Sequence, residues 1–244
     1  MVVLGILLPL CWLTRAPWPP RRRVLQMATS GALLQAGYLG GVFASMHHGM
    51  PAGVSALVTG MQPILTAVLG GWLLRERVTA RQWLGFVLGF VAVLLVVGER
   101  IRVEGLGGPA IALSVLALFS ITLGTLWQKR HGAGVDLRTG AAIQFIAAAG
   151  VLAPFALLEQ GTVRWSGEFV FAVGWLALVL SLGAIFLLLT LIKRGRATQV
   201  SSLFYLVPPT TALIAWPLFG ETYSLAAAGG MALAMLAVWL VMKA

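Results

Sequence analysis

From Val24 to Leu74 the chain runs 51 positions without a charged residue. A bilayer core of about 30 Å takes roughly 20 apolar residues per helix. One such run therefore holds two helices, joined at His47-His48-Gly49-Met50-Pro51, where glycine and proline favour a turn. Uncharged stretches recur at 82–98, 105–128, 139–158, 169–192, 197–220 and 222–242, each with room for one span. Residues 1–14 are apolar too, but as a helix they rise only about 21 Å, a short or incomplete span. The pattern predicts an all-α, polytopic membrane bundle of about nine transmembrane helices. With 59% hydrophobic and 10% charged residues in a chain of 244, a soluble globule and a separate soluble domain are both excluded.

The formal charge of +10 is spread in small clusters between the apolar runs, which is membrane topology and not a nucleic-acid surface. Alternating the loops puts fourteen of the seventeen basic residues on one side: Arg15, Arg21 to Arg23, Arg75, Arg77, Arg81, Lys129, Arg130, Arg138, Lys193, Arg194, Arg196 and Lys243. Arg100, Arg102 and Arg164 fall on the other. The excess makes the first side cytoplasmic, with the C-terminus inside. A signal peptide at the N-terminus is disfavoured, because Met1 to Leu10 has no basic stretch and no small-residue cleavage pattern precedes Arg15. The lone Cys11 and three scattered histidines offer no disulfide and no metal-ligand spacing, so neither metal nor cofactor is expected.

Shifted by 145 residues, the chain matches itself without a gap: Pro63 falls on Pro208, Thr66 on Thr211, Ala67 on Ala212, Glu76 on Glu221 and Gly85 on Gly230. Glu76 stands in the basic Arg75-Glu76-Arg77, whereas Glu221 stands in Gly220-Glu221-Thr222, which has no basic residue. The two copies are therefore expected to be inverted in the membrane, the first covering 1–104 with four helices and the second 105–244 with five.

The segments that carry the repeat are Ala52-Gly53-Val54-Ser55-Ala56-Leu57, Gln62-Pro63-Ile64-Leu65-Thr66-Ala67 and Arg75-Glu76-Arg77, followed by Gly85 and Gly89. Their counterparts are Ala197-Thr198-Gln199, Pro208 and Gly220-Glu221-Thr222. With them the sequence resembles the EamA-like branch of the drug/metabolite transporter superfamily over essentially the whole chain. The resemblance implies ten helices in two inverted five-helix repeats, and export of small solutes. This chain departs from that plan in the first helix of repeat one, which is expected to be missing.

Proline inside a membrane helix removes a backbone donor and displaces the carbonyl four residues earlier. Pro63, Pro208 and Pro209 are expected to kink helices 51–74 and 197–220 and to turn Thr59, Gln62, Gln199, Ser202 and Tyr205 toward a central cavity. Gln35 and Tyr38, three residues apart on helix 24–46, share a face that polar groups in lipid turn inward. Ser120 on helix 107–127 completes the set. Gly37 with Gly41 and Gly85 with Gly89 are read as close-packing sites, His47 and His48 as a solvated turn, and Glu76 and Glu221 as structural carboxylates.

These uncharged polar residues suit a carrier that moves an amino acid or other small metabolite by alternating access, with lipid and solute as partners and a homodimer left open. A membrane-embedded enzyme acting on lipid would need clustered His, Asp or Glu, or a Ser-His pair, and none gathers at one bilayer depth. A membrane interaction protein without transport is the remaining alternative, since an inverted repeat does not by itself prove movement of a solute.

Overall fold

Away from water a backbone must satisfy its own N–H and C=O groups, so apolar runs of this length fold as helices. The computed structural model describes residues 2–97, 107–158, 165–207, 210, 213–214 and 224–243, and among them nine helices and no strand. They are α1 (Val2–Leu13), α2 (21–47), α3 (52–73), α4 (Ala80–Val97), α5 (Gly108–His131), α6 (Leu137–Leu158), α7 (Gly167–Arg194), α8 (197–206) and α9 (Leu225–Met242). Five are long and apolar enough to cross a membrane: Val54–Leu73 within α3, and α5, α6, α7 and α9. Pro208, Pro209 and Glu221, and the basic residues Arg100, Arg102 and Arg164, lie outside the described residues.

Helices α2 and α7 each widen in the middle into a nine-residue π-helical stretch, Ala32–Gly40 and Leu176–Ala184. Their positions differ by 144 residues, within one residue of the sequence repeat. Such stretches relax the i→i+4 ladder and gather at functional sites. In the first copy the stretch carries Gln35 and Tyr38; the matching positions of the second are Leu180 and Gly183, without polar side chains.

Helices α4 and α9 pack along their lengths. A β-carbon at Gly85 would meet Val241 Cγ2 at 2.7 Å and the Ala237 carbonyl at 2.9 Å. One at Gly230 would meet Leu95 Cβ at 2.9 Å and the Ala92 carbonyl at 3.0 Å. The early part of each helix thus touches the late part of the other, and the two run antiparallel. Gly41 likewise seats α2 on Leu113 and Ala117 of α5. Much of the outer surface is large and apolar, including Val87, Leu94, Phe155, Phe171 and Trp175, as a lipid-facing surface should be.

One end of the bundle gathers the basic loops, and its polar groups hold the helix ends together. Arg23 Nη1 donates to the carbonyls of His131 (3.0 Å) and Ala133 (2.7 Å). Lys129 Nζ donates to the carbonyl of Lys193 at 3.3 Å and to that of Gly195. Lys193 Nζ donates to the Val135 carbonyl. Asp136 pairs with Arg138 at 2.9 Å, and this hydrogen-bonded guanidinium holds its carboxyl below the usual aspartate range.

Candidate functional site

The cavity takes shape where α3 breaks. Pro63 has no N–H to give and its ring excludes the carbonyl four residues back. Regular helix accordingly stops at Gly60, passes through Met61 (ψ −9°) and restarts at Gln62, which places Pro63 in a first turn whose donors have no partner in the helix anyway. Ser55, Thr59 and Gln62 follow at spacings of four and three, so the break leaves them on one face.

That face borders a cavity of about 240 Å³ lined by Tyr38, Val42 and Met46 of α2; Ser55, Ala56, Thr59, Gly60 and Gln62 of α3; Val93 of α4; Ile121 of α5; and Phe204 of α8 with Val207. Met46 and Ser55 flank the turn at residues 48–51, so the cavity occupies the half of the bundle opposite the basic end. No charged side chain lines it. Its size is below the roughly 300–1,000 Å³ of drug-sized sites.

The polar atoms there are only partly satisfied. Gln62 is fully buried; its Nε2 donates to Thr125 Oγ1 at 3.4 Å, while its Oε1 has no partner. Ser55 Oγ is likewise buried and unpartnered. Thr59 spends its hydroxyl proton on the Ser55 carbonyl at 2.9 Å and keeps its lone pairs. Next to this space, a gap of about 30 Å³ holds Gln35, whose buried Nε2 also lacks a partner, and shares Tyr38 and Ile121 with the larger cavity. An unpaired buried polar atom costs about 1–3 kcal/mol, and a ligand with a complementary group recovers that cost. The set offers acceptors at Gln62 and Thr59, a donor at Gln35, hydroxyls at Ser55 and Tyr38, and apolar walls from Val42, Met46, Val93 and Phe204. No group of three His, Cys, Asp or Glu side chains that could hold a metal occurs among the described residues.

Of the residues expected at the site, Tyr38, Thr59 and Gln62 come together, with Gln35 in the adjoining gap. Tyr205 points elsewhere. It is fully buried, its ring fills the space left by Gly89, and its hydroxyl donates to the Phe86 carbonyl at 2.9 Å. Ser202, buried midway along α8, donates to the Gln199 carbonyl at 2.7 Å. Ser120 lies at the α2–α5 contact, where a β-carbon on Gly37 would come within 2.6 Å of its Oγ. Ser55 was not expected, although its spacing to Thr59 and Gln62 could have shown it. The apolar walls carry no such signal, because Val93 and Phe204 resemble any other membrane-helix residues in sequence.

The EamA-like transporter family matches residues 1–98 and 108–243, and the chain belongs to that family, one of transporters and not of enzymes. The uncharacterized transporter YvbV of Bacillus subtilis is 26% identical over 199 residues, 79% of this chain and 63% of that protein. The uncharacterized inner membrane transporter YedA of Escherichia coli K12 is 29% identical over 210 residues, 84% and 67% of the two chains. A probable amino-acid metabolite efflux pump of the same organism is 25% identical over 177 residues, 68% of this chain and 59% of the pump. The matched stretches thus span about two thirds or less of these relatives. One solved crystal structure superposes with a TM-score of 0.85 at 18% identity, covering 99% of this chain and 85% of its own, which fixes the likeness of fold.

Proposed function

We propose that this membrane transporter exports an amino acid or a similarly small, net-uncharged metabolite by alternating access. The observation that carries the reading is the 240 Å³ uncharged cavity into which the α3 break presents Thr59, Gln62 and Ser55, two of them with unpartnered atoms. It lies between helices of both sequence copies, where a rocking motion of one against the other alternates access. The amino-acid metabolite efflux named for a distant relative supports the solute class and the direction. The basic end is then the cytoplasmic one, by the excess of arginine and lysine there, with the C-terminus on that side. An inner-membrane location follows the one named for YedA.

The test is flux. Purified protein reconstituted in vesicles is screened with labelled neutral, acidic and basic amino acids and small metabolites. The reading expects saturable movement of net-uncharged solutes and little of the charged ones. Turnover of vesicle lipid with no solute flux would replace the carrier by an enzyme.

A further inference from the structure

At the basic end a single carboxylate joins the first sequence copy to the second. Helix α3 ends at Leu73, and Arg75 adopts a left-handed backbone (φ 56°) that turns the chain back across the bundle and presents Glu76 to the start of α8. Glu76 Oε1 accepts the Ala197 N–H at 3.0 Å. Its Oε2 accepts the Thr198 N–H at 3.4 Å and the Thr198 hydroxyl at 3.0 Å, with Arg196 Nε 4.0 Å away. Arg196 answers by donating through Nη2 to the Arg77 carbonyl. The Glu76 side chain is only 11% exposed. A capping carboxylate satisfies N–H groups that the first turn of a helix cannot pair itself, and it suits the positive end of the helix dipole.

This contact sits where a passage to the basic side would have to open. From Gln62 at the cavity to Leu73 the helix descends roughly 16 Å. Along that length Thr66 and Ala67 are buried, and a β-carbon at Gly70 would touch Leu126 of α5 and Thr198 of α8 at 3.5 and 3.9 Å. The same helix α8 leads on to Phe204 and Val207 in the cavity wall. Around Glu76 stand Arg75, Arg77 and Arg196, with Lys129, Lys193 and Arg194 at the neighbouring helix ends, and Asp136 is already paired with Arg138. Without the carboxylate the α3–α8 junction loses its cap and keeps only like charges.

We propose that Glu76 is a positioning residue for transport: a latch that holds α8 against α3 and closes the basic end while the cavity is accessible from the opposite one. This rests on the alternating-access reading. The experiment uses the full chain in vesicles, with Cys11→Ala and one reporter cysteine, either Thr59→Cys in the cavity or Thr66→Cys on the sealed path, labelled from each side by a membrane-impermeant thiol reagent. With Glu76 present, Thr66→Cys should label slowly from the basic side. In Glu76→Gln that rate should rise about tenfold, labelling of Thr59→Cys from the opposite side should fall, and Glu76→Asp should restore both. Unchanged rates at both positions overturn the latch. A second arm bridges Glu76→Cys to Thr198→Cys with a short, cleavable dithiol reagent: flux should stop and return on cleavage. Flux that continues while bridged overturns the latch and leaves alternating access standing. Thr59→Cys that labels from neither side in unbridged protein with Glu76 intact overturns alternating access around this cavity, and the latch with it.

Discussion

Gly85 and Gly230 each sit against the helix that carries the other, Gly85 on Ala237 to Val241 of α9 and Gly230 on Ala92 to Val96 of α4. The two positions are 145 residues apart, so one repeat-related residue meets its counterpart's helix in both directions. Reciprocity of this kind requires antiparallel helices, and lipid-embedded helices approach closely only where side chains are absent. Gly85→Leu should therefore separate α4 from α9. The expected destabilisation is about 1–3 kcal/mol, typical of overpacking, read as a lower unfolding temperature in detergent. An unfolding temperature equal to that of the parent protein would mean that this seam adds nothing to stability.

Gln62→Leu keeps the size of the side chain and removes its amide. It strands the Thr125 contact and takes away the unpartnered acceptor from the cavity. For a solute that pairs with Oε1, the loss should be about 1–2 kcal/mol, or roughly five- to thirty-fold in apparent affinity measured by counterflow. Membrane insertion and expression should not change.

Tyr205→Phe separates stability from transport. The hydroxyl bonds the Phe86 carbonyl, and Tyr205 is not among the residues that line the cavity, so removal of the hydroxyl should cost about 1 kcal/mol of stability and leave solute affinity as it was. A large change in affinity with unchanged stability would return Tyr205 to the solute's path.

The Asp136–Arg138 pair gives the basic end an acid sensitivity. Because Arg138 lowers the Asp136 carboxyl in the folded protein, its contribution is complete above the ordinary aspartate range and disappears as pH falls through the lowered value. Unfolding temperatures measured between about pH 6 and about pH 3 should drop, and Asp136→Asn should flatten part of that drop.

The helices were legible in the sequence because lipid leaves an apolar run few alternatives. The Pro63 break was legible too, since proline's missing donor acts locally. Side-chain direction was harder. Tyr205 and Gln62 look equally suited to a cavity in one dimension, yet Gly89 opens a slot for the tyrosine ring while Gln62 faces the space left by the broken helix. The bond from Glu76 to Ala197 and Thr198 spans more than a hundred residues, and no local pattern announces it.

The central claim is that the space beside the α3 break is the route of the solute. Thr59→Trp places a large side chain in that 240 Å³ without removing a charged group or a helix cap, and its flux in vesicles is the most direct measurement. The carrier reading predicts a folded, inserted protein whose transport of labelled solute falls to background. Transport at the rate of the unsubstituted protein would show that the solute passes elsewhere.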